Sequence, residues 1–171
     1  IGDEEKDLDP IDKNTRSIIK DNDSIINFSF TNDIREYLAA SDCFIFPSYR
    51  EGFPNVLLEA NAMELPVITT DINGCNEIIK NNKNGVIIKP KNTHALYLAM
   101  KKVFLNKNFL HKLKNNCRQN IIKKFNQNFF HINVYRLYKN IKADLDLHNK
   151  KFLIVGNLAK SLISFRGNLI K

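Results

Sequence analysis

The chain has 171 residues, 43% apolar and 26% charged, which is enough for one domain with a proper core and ordinary for a globular fold. Its formal charge is +8, from 26 Lys plus Arg against 18 Asp plus Glu. Three distant cysteines (Cys43, Cys75, Cys117) with no CxxC or Cys/His cluster argue against a disulfide framework or a structural zinc site, and no apolar run approaches the roughly 18 residues a membrane helix needs.

In chain order, the opening Ile1-Gly2-Asp3-Glu4 lacks Met and any signal-like apolar segment, and reads as the interior of a longer chain. Residues 3 to 12 are acidic (Asp3, Glu4, Glu5, Asp7, Asp9, Asp12). Asp12 to Lys20 suits a short helix, and Ser24 to Phe30 a strand carrying Ile25, Ile26, Phe28 and Phe30. Asn32 or Asp33 can cap a helix with Ile34, Tyr37 and Leu38 on one face. Cys43-Phe44-Ile45-Phe46 is a continuous apolar run stopped by Pro47, the pattern of a strand covered on both faces. A helix over Asn55–Glu64 is closed by Leu65-Pro66. Val67 to Thr70 is β-branched throughout and predicts a strand, followed by the loop Asp71–Gly74. A short helix at Asn76–Lys80, a turn at Asn81–Gly85 and a strand at Val86–Ile88 ending before Pro90 come next.

From Asn92 the pattern is helical. Thr93 can cap a helix whose inner side carries Leu96, Leu98, Ala99 and Val103. Further helices are predicted over 107–124 and 128–147, the last with an apolar stripe of Phe130, Val134, Leu137, Tyr138 and Ile141 that spacing assigns to the core. Lys101, Lys102, Lys107, Lys112, Lys114, Arg118, Lys123 and Lys124 make 101–124 strongly basic. Such a segment suits a solvated helix face or contact with anionic membrane. It lacks the interleaved aromatics of a nucleic-acid module.

Strands alternating with helices predict an α/β fold: a Rossmann-like parallel sheet with helices on both faces and a helical C-terminal part. Ligands of such sheets bind beyond the carboxyl ends of the strands, where the loops Ser48–Pro54, Asp71–Gly74 and Lys89–Asn92 fall. The first of these leads into Glu51-Gly52-Phe53-Pro54-Asn55-Val56-Leu57-Leu58-Glu59. Gly52 presents no Cβ to an approaching ligand, and Pro54 suits a first helical turn. The free N–H groups beyond it, at the positive end of the helix dipole, suit a diphosphate. Glu59, in the second turn, can accept two hydrogen bonds from a diol such as a ribose, leaving Glu51 toward the other end of the ligand. The competing reading is a loop glutamate and an exposed helix glutamate with no joint role.

Pro47-Ser48-Tyr49-Arg50-Glu51-Gly52-Phe53-Pro54-Asn55-Val56-Leu57-Leu58-Glu59-Ala60 closely resembles the E-x7-E signature of the GT-B fold glycosyltransferases of family 4. Flanking matches are Asp33-Ile34, Tyr37 to Asp42, Pro66-Val67-Ile68, Gly74, Glu77-Ile78-Ile79 and Gly85, over about residues 1 to 140. The resemblance implies the C-terminal, donor-binding half of a retaining enzyme that takes a UDP- or GDP-sugar, without a bound metal. It implies that Glu51 stabilises the oxocarbenium-like transition state, that Ser48 and Gly52, Phe53, Pro54, Asn55 and Val56 bind the donor, and that Glu59 holds its ribose. The acceptor would be a glycan or lipid-linked sugar of bacterial capsule or other polysaccharide assembly, at the inner face of the membrane in a reducing cytoplasm. An alternative is a non-catalytic remnant or interaction module of that fold.

Three departures stand out. The family's diphosphate-neutralising Arg and Lys have no counterpart here, Ser29 stands where relatives usually have Gly, and no acceptor-binding domain precedes the motif. The chain alone is therefore expected to show negligible turnover. Residues 1–148 form the expected nucleotide-sugar domain. Asn149 to Lys171, with Phe152 to Gly156 followed by Leu162, Phe165 and Leu169, resemble the first strand, loop and helix of a GT-B N-terminal domain. Asp7-Leu8-Asp9, Asp21-Asn22-Asp23 and Asp144-Leu145-Asp146 match D-x-D but follow no buried strand, and the four histidines show no ligand spacing.

Overall fold

The computed structural model describes residues 1–2 and 11–148, with backbone alone at 127, 129, 130 and 141–148. The tail reading for 149–171 and the acidic run at 3–10 lie outside the described residues. Two compact units are present, Ile1–Ser41 and a second beginning at Asp42.

The first unit holds α1 (Lys13–Asp21) and α2 (Arg35–Ala39). Asp12 caps α1, its carboxylate accepting the N–H groups of Asn14 and Thr15 at 3.0 Å each. Asp33 does not cap α2 in the expected way; Ile34 occupies that position, while the Asp33 carboxylate accepts the Arg35 N–H at 3.0 Å. Residues 24–30 do not form the expected strand. The Gly2 N–H donates to the Phe28 carbonyl at 2.9 Å, but no strand pairs with the segment among the described residues, and Ile25, Ile26, Phe28 and Phe30 stay exposed. β-rich sequence without a neighbouring strand has no ladder to join. Phe28 instead packs edge-on against Tyr37, 4.8 Å between centroids.

The second unit is a three-stranded parallel sheet in the order β1 (Phe44–Phe46), β2 (Val67–Thr70), β3 (Gly85–Ile88). The register pairs Ile45 with Ile68 and Ile68 with Val86. Between the strands run α3 (Asn55–Ala62) and α4 (Cys75–Ile78), and α5 (Thr93–Leu105), α6 (Lys107–Lys124) and α7 (Gln127–His148) follow. β2 is buried throughout, as its β-branched sequence requires, while β1 at the edge is half-buried. Ile68, Val86 and Ile88 pack with Ala99 and Val103 of α5 and Leu113 of α6, and α3 and α4 also pack on β2.

Several boundaries shift for local reasons. α3 ends at Ala62, short of the expected Glu64. Pro66 bars helical backbone at Leu65, so Glu64 turns to φ +62° and the Leu65 N–H reaches back to the Ala60 carbonyl at 2.9 Å. Asn92, not Thr93, caps α5, accepting the Ala95 N–H at 2.8 Å. Leu98, expected inside, is 50% exposed, because Ala99 and Val103 define the inward arc and Leu98 lies a quarter-turn away. The stripe on α7 is not core where its side chains are described: Leu137 is 61% exposed.

A buried polar cluster lies before β3, away from the carboxyl edge. The Asn84 amide donates to Asn61 Oδ1 (2.5 Å) and to the Ile78 carbonyl (3.2 Å), and its oxygen accepts the Lys80 N–H (2.7 Å). Asn61 donates to the Leu65 carbonyl at 3.1 Å, and Asn120 of α6 to the Ile78 carbonyl at 3.1 Å. α3, α4, α6 and the turn into β3 are thereby tied by satisfied hydrogen bonds.

Candidate active site

The loops after β1, β2 and β3 meet at the carboxyl edge, as a parallel sheet dictates. β2 anchors the first loop: Thr69 Oγ1 donates to the Phe46 carbonyl at 2.9 Å, and the Thr70 hydroxyl donates to the Ser48 carbonyl. The second loop is tied to β3 by the Asp71 N–H donating to the Ile88 carbonyl at 2.8 Å. The third loop reaches the first through Lys91, whose Nζ lies 5.9 Å from the Tyr49 ring centroid.

Glu51 is half-buried, and the Ser48 hydroxyl donates to its Oε1 at 2.7 Å. Near it, at the start of α4, is the fully buried Cys75. Burial, the largest effect, pushes the Cys75 thiol above its ordinary value; its hydrogen bond with Thr69 opposes this, and the nearby Glu51 carboxylate adds a smaller push upward. Cys75 is thus a neutral packing thiol.

Gly74 fixes the shape of the glutamate loop. Its φ is +79°, and a Cβ there would sit 2.2 Å from the Gly52 carbonyl oxygen and 3.1 Å from Pro54 Cδ. Its N–H donates to Glu77 Oε1 at 3.3 Å. The missing side chain of Gly74 therefore lets the two loops touch backbone to backbone. Gly52 itself has open space where a Cβ would stand, and is exposed.

Pro54 is buried as the N-cap of α3, and no side chain caps this helix. The Leu57 N–H donates to the Pro54 carbonyl at 3.1 Å, while the Asn55 and Val56 N–H groups precede the first intrahelical bond. Asn55 is exposed and Val56 half-buried. The Phe53 ring packs toward Phe125, with centroids 5.9 Å apart, and so serves packing, leaving its backbone for any ligand. Glu59 is exposed on the second turn of α3.

The structure thus gathers Ser48, Glu51, Gly52, Phe53, Pro54, Asn55 and Val56 into one loop-and-helix corner, with Glu59 a turn further along the same helix. Sequence reading placed the loops that carry Gly74 and Lys91 at this edge but missed Thr70 and Cys75, and it gave neither Gly74 nor Lys91 a contact of its own. The Asn73-Gly74 pair signalled a turn, but nothing in the sequence signalled its contact with Gly52. Among the described residues, no three His, Cys, Asp or Glu side chains converge to hold a metal ion.

Residues 1–123 match the family described as glycosyl transferases group 1. Among similar proteins is an Escherichia coli UDP-Gal:alpha-D-GlcNAc-diphosphoundecaprenol alpha-1,3-galactosyltransferase, 36% identical over 102 residues, covering 60% of this chain and 26% of that one. A Staphylococcus aureus capsular polysaccharide biosynthesis glycosyltransferase, CapM, is 28% identical over 115 residues, covering 67% of this chain and 30% of its own. The sucrose-phosphate synthase of Thermosynechococcus elongatus superposes with a TM-score of 0.67 at 21% identity, over 77% of this chain and 34% of that one, and shows the shared fold. The chain spans between a quarter and a third of the length of these relatives.

Proposed function

The chain belongs to the group 1 glycosyl transferases, and from that premise we propose that it is the donor-binding part of a retaining glycosyltransferase. The observation that supports this reading best is the joining of Glu51, held by Ser48, to the uncapped N-terminus of α3 in one corner of the sheet's carboxyl edge. In this reading the N–H groups of Gly52 to Val56 hold the diphosphate of a UDP- or GDP-sugar, at the positive end of the helix dipole. Glu59 takes the ribose diol. Glu51, at the other end, faces the sugar and stabilises the positive charge that grows on its anomeric carbon as the bond to the leaving phosphate breaks. The acceptor hydroxyl attacks from the face that the phosphate leaves, and its proton passes to that phosphate. No metal ion takes part.

The acceptor is a glycan or a lipid-linked sugar of polysaccharide assembly, as the E. coli galactosyltransferase and the S. aureus capsular enzyme suggest. Three free thiols and a nucleotide-sugar donor fit a reducing, cytoplasmic setting.

Calorimetric titration of the chain with UDP and GDP tests the donor site. Binding of one nucleotide, weakened about tenfold or more by Glu59→Ala, is expected. Absence of heat with both nucleotides overturns the reading. Turnover by this chain alone is expected to be negligible; robust transfer would contradict that.

A further inference from the structure

From Glu77 to Asp144 the chain carries no acidic residue between them, yet fifteen Lys or Arg. Within this span α5 has two apolar faces. Ala99 and Val103 are buried in the core, while Tyr97, Leu98, Phe104 and Leu105 recur at i, i+1, i+7 and i+8 and point to solvent. Phe104 is 82% and Leu105 64% exposed. An ordinary surface helix would be polar there. Lys101 stands in the middle of this face, and Lys107 follows at the start of α6.

The same side chains border two adjoining depressions, of about 580 and 1080 Å³. Lys101, Leu105 and Lys107 line both. The larger has an apolar wall that includes Ile45, Ile68, Val103 and Leu110. Its two carboxylates are Asp42, already held by Lys114 at 3.1 Å, and Glu64. Cations beside exposed aromatic and aliphatic side chains, with apolar hollows behind them, match an anionic headgroup layer over acyl chains.

We infer that the corner between α5 and α6 is a peripheral docking surface for an anionic phospholipid bilayer. Phe104 and Leu105 enter the acyl boundary, and Lys101 and Lys107 engage the headgroup phosphates. Charge decides for a bilayer over a second copy of this chain. A copy would present the same cationic face, whereas an anionic leaflet complements it. The surface is independent of the donor site, and its test involves no nucleotide.

Sedimentation of the full 171-residue chain with phosphatidylcholine vesicles, with and without phosphatidylglycerol, reads the interaction directly. Binding is expected on the phosphatidylglycerol vesicles only, falling steeply as salt rises from about 0.1 M to about 0.5 M. Lys101→Gln with Lys107→Gln should weaken it about five-fold per lysine. Phe104→Ser with Leu105→Ser should weaken it about tenfold or more while the melting temperature holds, since both side chains lie outside the core. Equal binding to both vesicle types, or none to either, overturns the proposal whatever the variants do. So does retention of full anionic binding by both folded double variants. Light scattering that shows a dimer abolished by Phe104→Ser, without vesicle binding, would assign the face to a second copy instead.

Discussion

The Ser48 hydroxyl donates to Oε1 of Glu51 across 2.7 Å, while the Ser48 carbonyl accepts from the Thr70 hydroxyl. One serine therefore links the motif's first acid to the central strand. Its hydroxyl carries one hydrogen, and in this structure that hydrogen goes to the Glu51 carboxylate. The contact fixes where the Glu51 carboxylate lies in this loop.

A double-mutant cycle on Ser48→Ala and Glu51→Gln should give a coupling of about 0.5–1.5 kcal/mol in urea unfolding at neutral pH. Glu51 is only half-buried, so solvent holds the value to the low side of charged hydrogen bonds. Strict additivity would show that the two side chains do not interact in solution.

Gly74→Ala should destabilise the chain by about 1–3 kcal/mol, because the backbone is left-handed there and the new methyl meets the Gly52 carbonyl oxygen. Gly52→Ala, with open space at its Cβ, should change stability by about 0.5 kcal/mol or less. Chemical denaturation compares the two. Equal costs would mean that the loops do not pack as described.

Asn84→Ala removes three hydrogen bonds from a fully buried cluster and strands its partners on α3 and α4. A loss of about 2–4 kcal/mol is expected. The cluster lies before β3, so nucleotide affinity of the folded fraction should change little. A mild stability effect would contradict the burial.

Burial pushes the Cys43 thiol up to about 11 and the Cys117 thiol up to about 12, from an ordinary value near 9. The folded state keeps protons that the unfolded state releases above that ordinary value. This stabilisation is complete below about pH 9 and is lost as pH rises toward 11 and 12, at up to about 1.4 kcal/mol per pH unit for each thiol. Urea unfolding across that range should show a shallower alkaline decline for Cys43→Ala with Cys117→Ala than for the parent. Parallel curves would remove the thiols as the cause.

Glu64→Gly should raise stability by about 0.5–1 kcal/mol, since φ is +62° at this exposed position after α3 and glycine adopts it without strain. Thermal melting measures it. A loss would mean that the Glu64 side chain makes a contribution of its own.

Periodicity and composition were enough for the sheet's three strands, the helices between and after them, and the place of the glutamate loop. β-branched and apolar runs such as Val67–Thr70 have few alternatives in water, and Pro47, Pro54, Pro66 and Pro90 punctuate the chain through their fixed backbone geometry. Local sequence was insufficient for 24–30, where strand-forming residues find no pairing strand among those described. It was insufficient too for Leu98 and the α7 stripe, since spacing marks an apolar face but not whether anything covers it.

At the candidate site the sequence alone determined which residue types stand beside one another: an acid, a glycine, a proline and the start of a helix, all within nine positions. Only the tertiary structure decided that Thr70 grips Ser48, that Gly74 rests on Gly52 and that Lys91 reaches Tyr49. These contacts join loops that follow different strands. The parallel register of the sheet brings them together, and no local preference of the chain encodes it.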